Sequence, residues 1–396
     1  DSLGSRGLGD VYKRQIDGRY TGRGGLNEKT ENLVLVVLIT TVNLLLAFII
    51  SGMVIWSVGE DPWFALKTML YGAFGYDEGI GYTLYYTTNF IFTGLAFAIA
   101  FHCRLFNIGA EGQAYIGGLG VGLICLWLEE LPFVVILPAA IMASALFGAI
   151  WGAIPGYLQA KRGSHVVITT IMFNFIASVL MVYLLVNVLI KPGQMSPETR
   201  EFGENGWLPQ MHELFSWIGI QITPTPLNLS LFWAFICAFF VWRYIWHTRW
   251  GYEMRTVGAN ESAAVYAGIN VDRNIIIAMA LGGALAGFVG INEIMGFNHR
   301  ILLNFQFGYG FTGIAVSLIG RNHPFGILLA SLLFGILYQG GAELAFETQT
   351  IDRHMVVLIQ GLVILFAGAL ENLFRPQLQA LVRSLFKTST PVASIG

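Results

Sequence analysis

Two uninterrupted apolar stretches, residues 33–58 and 132–158, decide what this 396-residue chain can fold into. Each exceeds the ~20 residues that carry a helix across a bilayer. Inside lipid the backbone must satisfy its own hydrogen bonds, so only helices and closed barrels span it. Barrel strands read as ~10-residue alternating segments, and these runs do not alternate. Charged residues make up only 12% of the chain, about half the share of a soluble domain, too few to cover a water-facing surface. The fold class is therefore an all-α polytopic membrane protein. A formal net charge of −2 leaves no basic footprint for nucleic acid. Cys103, Cys125 and Cys237 all sit inside apolar segments, where disulfides have no part.

Residues 1–15 are polar and Gly-rich, lack an initiator Met and join poorly to the segment after them. They are read as an assembly artefact at the head of a cytoplasmic N-terminal tail, 1–32. The first apolar run is too long for a signal-peptide core and is an uncleaved span. Apolar segments fall near 33–58, 86–103, 113–128, 132–160, 165–190, 228–248, 274–298, 307–320, 324–342 and 354–374, giving about ten transmembrane helices within a domain of residues 33–374. Charge tests this count, because Lys and Arg stay on the cytoplasmic side. With the N-terminus inside, only five of the 22 basic residues fall outside: Lys67, Lys191, Arg200, Arg300 and Arg353. The outer loops collect acids instead, among them Glu60, Asp61, Asp77, Glu78, Glu129 and Glu130. Both termini are thus expected in the cytoplasm, with 375–396 as a C-terminal tail.

Three loops are long. The first, 59–83, holds an amphipathic stretch from Pro62 to Leu70 expected to lie in the membrane interface. The second, 191–228, is extracytoplasmic, rich in Pro and charge, and holds Trp207, Met211, Leu214, Phe215 and Trp217, on which a soluble partner could sit. The third is the cytoplasmic loop 249–273. There Gly258 reads as a turn before Ala259, Asn260 as an N-cap, Glu261 and Ser262 as a first helical turn, and Gly268 as the residue that ends the helix. So short a helix is unstable alone in water. Its small face, Ala263, Ala264 and Ala267, suits close docking into a groove on another protein.

This stretch resembles the EAA loop of ABC-transporter permeases, with the Ala-Ala-x-x-x-Gly spacing kept as Ala263, Ala264 and Gly268; Ser262 stands at the motif's Glu, and Glu261 lies one position earlier. Two further stretches, Phe106-Asn107-Ile108-Gly109-Ala110-Glu111-Gly112-Gln113 and Gly308-Tyr309-Gly310-Phe311-Thr312-Gly313, resemble signatures of the branched inner-membrane permease family. Within it they are most similar to permeases of nucleoside importers that work with a basic-membrane-protein-type lipoprotein receptor, with simple-sugar permeases as relatives. Thr312 stands where that family commonly carries Asp, so no carboxylate role transfers there. The resemblance runs over residues 33–373. It implies a multi-pass permease of a bacterial inner membrane, with a second permease subunit (a copy or a related chain), a cytoplasmic ATPase docked at Asn260 to Gly268, and an extracytoplasmic receptor. ATP and Mg would bind the ATPase; this chain would hold no cofactor or metal and perform no covalent chemistry.

Polar residues within apolar segments carry two readings each. Asn107, Glu111 and Gln113 either flank the translocation path or cap the third helix. Asn174 reads first as a helix-to-helix hydrogen bonder and second as path-lining. Asn292 and Glu293 have the same alternatives, with Glu293 the stronger functional candidate because an ionisable group within a span is costly. The runs Gly117-Gly118-x-Gly120-x-Gly122 and Gly282-Gly283-x-x-x-Gly287-x-x-Gly290 sit in apolar helices without lysine and read as close packing. No Gly-x-x-x-x-Gly-Lys-Ser/Thr occurs, so any ATP-driven motor is another polypeptide. His-Glu-x-x-His and Gly-x-Ser-x-Gly are absent as well. Phe106-x-x-Gly109-x-x-Gly112 and Phe305-x-x-Gly308-x-Gly310 open Gly-rich helices from opposite sides, as an inverted repeat requires. The rival reading is a self-sufficient secondary transporter or channel using Glu111 or Glu293 as a proton or ion site.

Overall fold

The computed structural model describes residues 45–362 except 192, 218, 349 and 353, together with 38, 41, 42 and 365. The chain falls into two units, Asp1–Ser57 with Leu358–Gly396, and Val58–Val357. In the first, helix α1 covers Leu45–Ser57; of the expected first and tenth spans, residues 33–37, 39, 40, 43 and 44 and residues 363, 364 and 366–374 lie outside the described residues.

The helices of the second unit are α2 (Pro62–Phe74), α3 (Asp77–Phe101), α4 (Ala110–Trp127), α5 (Phe133–Arg162), α6 (Val166–Asn187), α7 (Met211–Trp217), α8 (Ser230–His247), α9 (Arg249–Ala259), α10 (Glu261–Tyr266), α11 (Val271–Gly287), α12 (Tyr309–Ile319) and α13 (Pro324–Glu347). A π-helix, Ile291–Asn298, continues α11. Two isolated bridges are the only β pairing among the described residues. Six elements there are long and apolar enough to cross a membrane: α3, α5, α6, α8, α11 with its π-helical extension, and α13. The expected third and eighth spans fall outside this set for local reasons. Glu111 and Gln113 make the first turn of α4 polar, and α12 has only 11 residues.

Two loop expectations are corrected. Residues 59–83 are mostly helical: Asp61 caps α2 by accepting from Trp63 N at 2.9 Å, and α3 starts at Asp77 rather than near 86. The acidic pair Asp77 and Glu78 suits a helix N-terminus, so apolarity alone places this boundary too late. Helix α2 packs its buried Ala65, Met69, Gly72 and Ala73 on the C-terminal end of α13, where Gly72 meets Glu343 and Gly340 meets Met69. In loop 249–273 the expected short helix is α10, and a further helix, α9, precedes it where loop was expected.

Burial orders the layers. α3 is central, with 83% of its apolar window inside, whereas α6 at 22% and α5 at 28% present broad faces outward. The glycine runs act as expected. A Cβ on Gly117 would collide with Gly287, one on Gly290 with Gly118, and one on Gly148 with Gly283, so α4, α5 and α11 meet backbone to backbone. Without a hydrophobic drive between helices in lipid, such contact is a main source of cohesion. The two Phe-Gly echoes occupy matching places: Phe106 and Phe305 each precede a helix start by four residues, and Gly109 and Gly308 are the N-caps.

Substituting Gly283 by Val forces α5 and α11 apart. Overpacking costs about 1–3 kcal/mol, and thermal unfolding of the detergent-purified protein should show a clearly lowered midpoint, whereas Gly203→Ala, at φ −61° with nothing nearer to an added Cβ than 3.6 Å, should lose far less.

Candidate functional site

Two helix beginnings meet at Glu111. Its carboxylate accepts from Gly308 N (2.9 Å, Oε1) and Gly310 N (2.8 Å, Oε2), two N–H groups that the first turn of α12 leaves unsatisfied. An anion there also meets the positive end of the helix dipole. Gly310 has no room for a side chain because Ala110 and Glu111 backbone fills that space. Helix α4 is capped from its own side. Asn107 Oδ1 accepts from Gly109 N at 2.9 Å, and Asn174 Oδ1 accepts from Gly112 N at 2.9 Å while its Nδ2 donates to Ile108 O at 3.0 Å. Asn107 also donates to Gln113 Oε1 at 3.1 Å. Of the paired readings, capping and helix-to-helix bonding describe Asn107, Gln113 and Asn174 in this structure. Tyr115 adds a latch, its hydroxyl accepting from Asn304 N at 2.9 Å.

A second cluster forms on the π-helix. Asn292 Oδ1 accepts from Asn228 Nδ2 (2.9 Å) and Ser230 Oγ (2.8 Å), and its Nδ2 donates to Asn89 Oδ1 (2.9 Å) and Tyr85 O (3.2 Å). Glu293, fully buried, accepts from Asn89 Nδ2 at 2.6 Å. The wide π turn lets neighbouring residues 292 and 293 both reach Asn89 of α3. Sequence reasoning missed Asn89, Asn228 and Ser230. Asn89 carried a signal, a carboxamide in the middle of an apolar helix; Asn228 and Ser230, at the start of α8, carried none.

Loop 191–228 closes on the same π-helix. Leu208 N donates to Met295 O (2.9 Å), Gln210 Nε2 to Gly296 O (3.2 Å), Phe202 N to His299 O (2.8 Å) and Thr199 N to Ile301 O (3.1 Å). Carbonyls at a helix C-terminus need outside donors, and this loop supplies them. Trp207 stacks on His299 with centroids 4.2 Å apart, and burial pulls the His299 imidazole below its ordinary pKa. Arg200 donates to Glu129 and holds that carboxyl below the usual carboxylate range. Trp217 remains largely exposed.

On the other face, α10 ends as the sequence expects. Asn260 Oδ1 accepts from Ala263 N at 3.0 Å. Gly268, at φ +74°, bonds back to Val265 O, and Ile269 N reaches Ala264 O at 2.9 Å, the paired bonds of a Schellman end. Two details differ from expectation. Gly258 is not a turn but lies inside α9, where the His102 carbonyl occupies the space of a side chain. Ala264 is fully buried, so the outward face is Glu261, Ser262, Ala263, Val265, Tyr266 and Ala267. Tyr266, 92% exposed, was not foreseen. Cys103 Sγ reaches Met254 O at 3.6 Å and Asn274 O at 3.9 Å, so α9 grips the bend 102–104 that follows α3.

A multi-pass helical membrane protein with an exposed, doubly capped short helix and meeting half-helix ends is built as a transport permease. The chain belongs to the family described as branched-chain amino acid transport system / permease component, whose model matches residues 79–368, and it is a membrane-spanning permease subunit of an ABC importer. It is 35% identical over 303 residues to the guanosine ABC transporter permease protein NupP of Bacillus subtilis, covering 75% of this chain and 83% of that one. To the nucleoside ABC transporter permease protein NupB of Lactococcus lactis it is 31% identical over 347 residues, 86% and 92% of the two chains. To the glucose ABC transporter permease protein TsgB13 of Haloferax volcanii it is 32% identical over 326 residues, 81% and 84%. No solved structure is significantly similar to the chain.

Glu111→Gln keeps one acceptor oxygen but turns an amide donor toward a backbone N–H. Leaving such a buried donor unpaired costs about 1–3 kcal/mol; the variant should melt earlier in detergent, and hydrogen exchange at residues 308–312 should accelerate.

Proposed function

We propose that this permease passes nucleosides from an extracytoplasmic receptor into the cytoplasm, driven by ATP hydrolysis on a separate chain. The relatives named for guanosine and nucleosides support the substrate class. Those named for glucose and ribose keep simple sugars as the second reading. The observation that carries the drive is α10. A short helix fixed at both ends, with a bulky exposed Tyr266 and small neighbours, and gripped through α9 to the bend after α3, serves a partner; a self-contained carrier or channel has no use for it. ATP and Mg belong to the cytoplasmic ATPase seated on Asn260 to Gly268. A second permease, identical or related, completes the membrane part, and a receptor lipoprotein sits on loop 191–228.

The proposed coupling has two arms. From inside, motion of α10 moves α9, then the Gly258 contact on His102, then the segment leading through Asn107 and Gly109 to Glu111. From outside, pressure on loop 191–228 moves the π-helix, then residues 299–308, then Gly308 and Gly310. The arms join at the Glu111 carboxylate. The matched Phe-Gly positions favour an inverted repeat, and the charge distribution favours ten spans with both termini cytoplasmic, tail 1–32, membrane domain 33–374 and tail 375–396. In this scheme Asn107, Gln113 and Asn174 hold the path in shape, and Glu111, Asn292 and Glu293 are its moving polar contacts.

Ala263 faces outward and is the position to test; a change at buried Ala264 would damage α10 itself. Ala263→Arg should cut the ATPase recovered with the tagged permease by at least about tenfold, a loss of ~1.4 kcal/mol in docking, and abolish uptake with normal expression. Wild-type recovery and uptake would refute the proposal. A fluorescent C-terminal fusion, active only in the cytoplasm, checks the topology.

A further inference from the structure

Where α8 turns into α9, the protein leaves a cavity of about 440 Å³ lined by Thr248, Arg249, Trp250, Glu253 and Arg273. Arg249 opens α9, and Arg273 lies in the first turn of α11. The Arg249 Nε donates to Glu253 Oε1 at 2.9 Å, which orients the guanidinium and leaves its two terminal nitrogens for another acceptor. The Arg273 guanidinium is exposed, and no hydrogen bond or ion pair joins it to another described residue. Its neighbour Asp272 is already matched by Lys161 at 2.6 Å. Two arginines against one glutamate leave the cavity with one unbalanced positive charge.

Depth decides what can meet that charge. Helix α8 has 18 residues and rises about 27 Å at ~1.5 Å per residue, close to the ~30 Å of a hydrocarbon core. Residues 248–250, just past its end, therefore stand at headgroup level. Along α8 the side chains of Phe232, Phe235, Ile236, Phe239 and Phe240 are exposed, an apolar face suited to acyl chains. From Phe240 this face continues as stacked rings. Phe240 and Tyr244 have centroids 6.0 Å apart and planes 25° apart, and Tyr244 and Trp250 follow at 6.4 Å and 26°. The ladder ends at the cavity, because the exposed Trp250 is part of its wall. A molecule with an apolar tail and an anionic head matches both the ladder and the arginines; a soluble anion matches only the arginines.

The geometry points to a binding site for the phosphate of an anionic glycerophospholipid, held by Arg249 and Arg273, with its glycerol against Trp250 and its acyl chains along α8. Guanidinium forks pair with phosphate oxygens, basic pockets at the ends of membrane-spanning helices take anionic headgroups, and a phosphodiester carries the single negative charge that the cavity lacks. Helices α9 and α11 come directly before and after α10, so a bound headgroup ties the two flanks of that helix together. The site stands whatever solute is carried; its bearing on coupling rests on the ATPase-docking role of α10 proposed above.

The full-length permease is purified in detergent and offered equal amounts of dioleoyl phosphatidylglycerol and dioleoyl phosphatidylcholine, and native mass spectrometry measures the lipid retained. The wild type should retain phosphatidylglycerol in preference. Arg273→Gln should cut that preference about tenfold, the loss of one charged hydrogen-bond partner, and Arg273→Lys should keep part of it. Arg162→Gln, which removes a positive charge at the end of α5 next to Lys161, is the control and should leave the preference unchanged. Equal retention of the two lipids by the wild type, or a preference that survives both Arg249→Gln and Arg273→Gln, would overturn the proposal. Displacement of phosphatidylglycerol by an equal concentration of glycerol 1-phosphate would assign the cavity to a soluble phosphate and overturn it too. Expulsion of the lipid on ATPase binding, with ATPase recovery lowered by Arg273→Gln, would assign the cavity to that chain, with the same consequence. Should the variants fail to fold, photoactivatable phosphatidylglycerol on the wild type decides: crosslinks to residues 248–253 or 273 support the site, and crosslinks confined elsewhere overturn it.

Discussion

The carboxylate of Glu111 on the beginning of α12 is the contact on which the arrangement depends. Two helices that begin inside the protein bring two sets of unpaired N–H groups and two positive dipole ends close together. In a low-dielectric interior that arrangement is costly unless an anion and several acceptors are supplied. Glu111 serves α12, and Asn107 and Asn174 serve α4. The chain must then hold these acceptors in place, which explains why Gln113, itself buried, is committed to positioning Asn107.

Backbone contact sets the scale of everything around this junction. Glycines on α4, α5 and α11 let helices approach until no Cβ fits, and the carbonyls at the end of the π-helix are met by loop 191–228. A protein packed this way does not deform smoothly. In the proposed coupling, movement of α9 or of loop 191–228 would be passed on as a shift of whole segments.

Much of this was legible in the residues. The caps of α10, Asn260 and Gly268, were readable because capping is a local bargain between one side chain and the next few backbone groups. Asn174 as a helix-to-helix bonder and the glycine runs as packing came from the low cost of close approach and the high cost of an unpaired amide in lipid. Gly258 was misread because a glycine in a polar loop signals a turn as readily as a contact, and only the His102 carbonyl, far off in sequence, tells them apart. The early start of α3 was missed because an apolarity window discounts the acidic residues that open a helix.

What the sequence by itself determined is the class, the membrane and the caps of α10, all properties of composition or of a few neighbouring residues. Only the tertiary structure decided that Glu111 belongs to α12, that residues 292 and 293 both reach Asn89, that Ala264 turns inward while Tyr266 turns out, and that Arg249 and Arg273 line one cavity. Each of these pairs groups separated by a turn of helix whose phase, or a stretch of chain whose path, no local rule fixes.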